Sequence, residues 1–159
     1  MTRKIALLIL LTVLLTVSPA MAGVEKLSFG LKVWYPDNWQ KVYEADRLIV
    51  RSPDGAAIAT FIIFKADDLA EAEGKMTAEL MRIFGNTIKV TTDPSPAEIN
   101  KLDGVLTDGT GYVAGAYTIW VSRVVVYKGK ALMVLGCVAT SRFSVYNKDI
   151  GKIISGVKT

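Results

Sequence analysis

Two apolar runs, TIWVSRVVVY (residues 118–127) and ALMVLGCVAT (residues 131–140), flank Lys128-Gly129-Lys130. Strand side chains point alternately to opposite faces, so a strand that is apolar at every position must be covered on both sides. The short glycine-bearing separator makes the pair a long hairpin. Ala57 to Lys65, AIATFIIFK, repeats the pattern, with Phe61 and Ile63 on one face and Ile62 and Phe64 on the other. A sheet with two greasy faces needs a layer on each.

Two segments supply those layers. From Asp68 to Phe84, Leu69, Met76, Leu80 and Ile83 form a helical stripe. Asp68 with Glu71 starts it as a capping box, and Gly85-Asn86 stops it. Near the C-terminus, Phe143, Tyr146, Ile150, Ile153 and Val157 recur at helical spacing, and Ser141 is placed to start that helix. The remaining chain reads as short strands and turns. Leu27 to Tyr35 alternates, with Trp34 on its more polar side beside Lys32 and Ser28; Pro36-Asp37-Asn38 then turns the chain. Gln40 to Glu44 and Arg47 to Arg51 are the next strands, ended by Ser52-Pro53-Asp54-Gly55. Thr87 to Val90 is expected as a strand, Thr91 to Pro96 as a loop, and Ile99 to Leu102 and Val105 to Tyr112 as further strands. The expected fold is α+β, a three-layer α/β/α sandwich around an antiparallel sheet of about six to seven strands.

Before this domain stands MTRKIALLILLTVLLTVSPAMAG. Two basic residues, an apolar stretch from Ile5 to Val17 and Ala20-Met21-Ala22 make a secretory signal cleaved after Ala22. The stretch is shorter than the ~20 residues that span a bilayer, so no stable span is expected after cleavage. Residues 23–159 then form one domain. The two leader cations removed, 17 basic residues face 15 acids, a net charge of +2. That is too little to suggest nucleic acid, which calls for a clustered basic face. Cys137 is the only cysteine and sits in an apolar strand, so it reads as a small buried hydrophobe. An exported domain without disulfides fits a bacterial periplasm.

The chemistry available is narrow. With no histidine and one cysteine, a zinc site or a Ser-His or Cys-His nucleophile is ruled out. Gly109-x-Gly111-x-x-Ala114 matches a dinucleotide fingerprint but leads into a strand rather than a helix N-terminus. Ser155-x-x-Lys158 lacks its companion motifs. No cofactor, metal or catalytic residue is expected, and an enzyme here would have to work with carboxylates alone.

The order of FGLKVWYPDNW, LIVRSPDGAAIATFII, GVLTDGTGYVAG, YKGKALMVLG and FSVYNKDIGKIISGVK resembles the PsbP-like domain family, which shares its fold with the Ran-binding protein Mog. The resemblance covers nearly all of the chain after the leader. It implies an α/β/α sandwich, a Pro36 corner with Trp39 and Tyr35 packed structurally, and a habit of binding partner proteins. It supplies no catalytic residues. The expectation is a non-enzymatic exported accessory or binding protein that contacts another envelope protein or complex, with Trp34 and Lys32 as contact candidates and the loops at Asp54 and at Asp93 to Glu98 next. The alternative is a small-molecule or lipid carrier using a cleft between sheet and helix.

Overall fold

A computed structural model describes residues 23–159; the expected leader lies outside the described residues. Nine strands form: β1 (Gly23–Lys26), β2 (Lys32–Tyr35), β3 (Gln40–Glu44), β4 (Arg47–Arg51), β5 (Ala57–Lys65), β6 (Lys89–Pro96), β7 (Gly104–Val113), β8 (Ala116–Tyr127) and β9 (Lys130–Ala139). Two helices accompany them, α1 (Leu69–Phe84) and α2 (Phe143–Ser155). Seven strands pair in the order β3-β4-β5-β9-β8-β7-β6, every neighbour antiparallel, while β1 and β2 form a separate hairpin. This is the α+β sandwich expected from the two-sided strands.

The two faces divide the core. Along β9, Leu132, Val134 and Val138 join Phe61, Ile150 and Ile153 under α2, whereas Met133 and Leu135 join Trp120, Met76 and Leu80 under α1. Each such side chain fully removed from water contributes about 1.5–3 kcal/mol of transfer free energy, so the two half-cores together drive folding. The β8–β9 turn is Lys128-Gly129 with φ of 51° and 69°, and the β7–β8 turn is Ala114-Gly115 with φ of 49° and 79°. Two successive left-handed residues give the hairpin geometry whose twist matches the strands, and glycine carries the second at little cost.

The Gly109-x-Gly111 spacing has a packing cause. Both glycines lie on the α1 face of β7, Gly109 directly opposite Trp120. A Cβ at Gly109 would stand 2.0 Å from the Lys89 carbonyl oxygen, and one at Gly111 would stand 2.6 Å from the Phe84 ring. The missing side chains make room for Trp120 and Phe84, whose rings lie 5.7 Å apart.

Several local expectations give way. Leu27 to Tyr35 is not one strand: Leu27 to Leu31 is a turn closed by the Leu27 N–H donating to the Leu31 carbonyl at 2.7 Å, with Gly30 at φ 102°. Only Lys32–Tyr35 is extended, and its partner β1 carries too short a pattern to be read. Thr91 to Pro96 is strand rather than loop. Despite two prolines, β6 pairs with β7 through register shifts, as an edge strand allows. Ile99 and Leu102 bridge each other around Asn100 and Lys101, a tight turn rather than the expected short strand over Ile99 to Leu102. The α1 cap holds, Asp68 Oδ1 accepting from the Glu71 N–H at 2.8 Å, but Glu71 reaches back to the Asp67 N–H. Ser141 does not start α2; it lies in a 3₁₀ turn over Thr140–Arg142, and Arg142 precedes the helix without a side-chain cap.

Candidate partner-binding groove

The β1–β2 hairpin packs its inner face on α2 and shows its outer face to solvent. Val33 and Tyr35 point inward and are buried; Lys32 and Trp34 point outward. Gly23 lies opposite Tyr35, where a Cβ would fall 2.2 Å from the ring, so glycine lets this end of the hairpin close. On the outer face Val24 sits opposite Trp34 and Lys26 opposite Lys32. The chain end adds a further extended segment, Lys32 donating to the Lys158 carbonyl at 2.7 Å and Lys158 to the Lys32 carbonyl at 3.0 Å. Asn100 ties down the same end, its amide donating to the carbonyls of Ser155 at 3.2 Å and Val157 at 2.7 Å. At Gly156, where α2 ends, a Cβ would lie 3.3 Å from the Cβ of Trp34. The indole is thus held half-buried against the helix terminus, in the wall of a groove of about 460 Å³ lined also by Lys32, Lys152, Ser155 and Lys158.

Directly opposed strand residues have Cβ atoms about 4.5–5.5 Å apart, so Lys26, Lys32 and Lys158 form a row of like charges that costs stability. All three and Lys152 are exposed. No acid among the described residues lines the groove. Elsewhere opposite charges meet: Arg47 to Glu79 at 3.0 Å, joining β4 to α1, Lys41 to Glu25 at 3.2 Å, and Arg142 to Asp54 at 3.0 Å. The three lysines that line the groove, Lys32, Lys152 and Lys158, and Lys26 beside Lys32 on the flanking strand, take part in none of the ion pairs among the described residues. With those four set aside, 13 cations face 15 acids in residues 23–159. The groove is therefore a positive site on an otherwise slightly negative domain.

The other clusters are internally satisfied. Glu25 accepts hydrogen bonds from the hydroxyls of Tyr43 and Tyr35 and from Lys41; these, the Tyr43 bond foremost, hold its carboxyl below the usual range. Asp54 is held down to about 2, first by the Ala56 N–H, with Tyr146, Ser52 and Arg142 adding to it. It closes its own turn rather than facing a partner. Burial pushes the Cys137 thiol up to about 12, which keeps it protonated and unreactive. Asp93 to Pro96 lies in the exposed edge strand β6.

Of the sequence candidates, Trp34 and Lys32 come together in one groove, while Trp39 and Tyr35 are buried in the core beside α2. Trp39 meets the Tyr146 ring edge-on at 5.9 Å. Lys26, Lys152 and Lys158 were not singled out by the sequence. The only signal was the Lys-x-Trp alternation of β2, because the remaining lysines arrive through strand pairing and the end of α2.

A seven-stranded antiparallel sheet between two helices, with a satellite hairpin on one of them, defines a PsbP-like α/β/α sandwich. The chain is similar to the solution structure of cyanobacterial PsbP (CyanoP) from Synechocystis, with 12% identity over 89% of this chain and 94% of that one and a TM-score of 0.67. LpqN from Mycobacterium tuberculosis, described as involved in cell envelope biogenesis, is similar at 16% identity, covering 85% of this chain and 82% of its own, with a TM-score of 0.54. A Pseudomonas aeruginosa protein of unknown function, described as a putative regulator, gives 15% identity, 80% and 89% coverage and a TM-score of 0.50. No family model matches the chain, and no curated protein matches it in sequence. Likeness at this identity establishes the fold and leaves the chemistry to the side chains. No helix among the described residues is long and apolar enough to cross a membrane.

Proposed function

We propose that this protein is a non-enzymatic exported accessory or binding protein of the bacterial periplasm, which contacts another envelope protein or complex through the Trp34 groove. The observation that carries the reading is a half-buried indole in a lysine-walled groove without an acid in its lining. A large amphipathic ring that keeps part of its surface in a recess is the kind of side chain that dominates binding energy at interfaces. The signal-like leader and the envelope role given for LpqN agree with export. The carrier alternative has less support, since side chains almost without solvent exposure fill the space between each helix and the sheet.

The test is chemical crosslinking of tagged protein in living source cells, read by mass spectrometry for the native sequence and for Trp34→Ala. Repeated capture of one envelope protein, lost in the variant, is the expected result. Capture of nothing, or capture unchanged by the variant, overturns the reading.

A further inference from the structure

We infer that the groove recognises an acidic segment of a partner protein, an extended run of carboxylates with an interspersed apolar side chain that rests on Trp34. This rests on the reading of the groove as the docking face and adds the chemistry of the partner. The row Lys26, Lys32, Lys158 is set by backbone pairing, so its charges cannot move apart at their roots. Lys152 on the last turn of α2 joins Lys32 and Lys158 in lining the recess, and Lys26, paired with Lys32, flanks it as a fourth charge. A carboxylate arriving there relieves the repulsion within the row as well as gaining its own attraction. Val24, 59% exposed opposite Trp34, extends the indole into an apolar strip alongside the lysines. Charge beside an apolar strip asks for a ligand with both.

Three features separate a protein segment from other anions. The cations are all lysines, point charges on swivelling stems that accept carboxylates in many geometries, whereas planar bidentate phosphate recognition favours arginine. Four charges are few for nucleic acid, which rewards a long basic track. The indole lies in the wall of a recess rather than at a projecting tip, so it meets an inserted side chain more readily than a flat bilayer surface.

The experiment titrates residues 23–159 with a short acetylated peptide of Glu-Glu-Leu repeats and follows tryptophan emission. Trp39 is 5% exposed and Trp120 fully buried, so the half-buried Trp34 reports the groove. The expected result is a saturable emission shift that weakens as salt shortens the screening length from about 10 Å at 0.1 M to about 3 Å at 1 M. Combining Lys26→Glu, Lys32→Glu and Lys158→Glu is expected to weaken binding by roughly tenfold or more, about 1.4 kcal/mol. Lys152→Glu, on an exposed helix position outside the strand pairing, gives a second variant with the same direction should the triple variant fold poorly. No saturable binding, equal binding by a Lys-Lys-Leu peptide, or affinity indifferent to these substitutions overturns the inference. So does binding to phosphatidylglycerol-containing vesicles with the same lysine dependence and none to the peptide, which would make the site a membrane contact. In-cell capture through Trp34 that persists while the peptide fails to bind would remove the acidic chemistry and leave the docking face. Loss of both removes both.

Discussion

Arg123 stands in the middle of β8, 2% exposed, and its Nε and Nη1 are buried with no hydrogen-bond partner among the described residues. It shares the α2 face of the sheet with Leu106 and Val134, its direct cross-strand neighbours, and with Val121 and Val125 along its own strand. Burial alone lowers its affinity for the proton, with no acid to offset it. Methionine has a similar unbranched reach and no polar hydrogen. Each unsatisfied buried donor costs about 1–3 kcal/mol. Replacing buried ionic groups with apolar side chains of similar volume stabilises known proteins by up to about 4 kcal/mol. A gain of about 2 kcal/mol is the expectation for Arg123→Met, or roughly 4–8 °C in Tm for a domain of this size. Urea unfolding of residues 23–159 followed by circular dichroism measures it, with an unchanged m-value as the check that the same surface is exposed. A variant less stable than the native sequence by more than about 1 kcal/mol would refute the reasoning, because it would mean the guanidinium has a stabilising partner.

The two neighbouring tryptophans should separate in the same assay: Trp39→Ala is expected to cost about 3–5 kcal/mol through loss of a buried ring, and Trp34→Ala no more than about 1.5 kcal/mol. Gly111→Ala should cost about 1–3 kcal/mol by driving a methyl into Phe84, and Gly109→Ala more, because its obstacle is the backbone of β6; equal stability of either with the native sequence would contradict the packing. Asp54 has a folded pKa depressed from 3.8 to about 2, so its contribution is fully present above the unfolded value and lost as pH falls through the folded one. The stability difference between the native sequence and Asp54→Asn should therefore be flat above about pH 5 and shrink from there toward pH 2; denaturant midpoints across that range that differ by a constant amount would contradict it.

How much the sequence discloses depends on how local the cause is. The two-sided runs of β5, β8 and β9 and the α1 stripe express burial through near neighbours, and they were legible. Their positions follow the predicted faces down to Ile62 and Phe61 on opposite sides of the sheet. The spacing that marks α2 carries further than the helix: Val157 is buried but lies beyond Ser155, and Phe143 is 38% exposed at the start. Edge elements were least legible, because β1 is four residues long and β6 contains two prolines, so their pairing partners rather than their own patterns make them strands. The groove was half legible. Lys32 and Trp34 alternate visibly, but Lys158 reaches Lys32 only through a backbone bridge between the two ends of the described chain. Arg123 is conspicuous within TIWVSRVVVY, yet only the finished sheet shows that no acid meets it.

The proposed docking face is the groove between the β1–β2 hairpin and α2 rather than the α1 side. A photo-crosslinking amino acid placed at Lys152 and, separately, at Met81, which is 49% exposed on α1, tests this in living source cells. A discrete crosslinked species from position 152 and none from position 81 is the expected result. The same species from position 81 alone would contradict it.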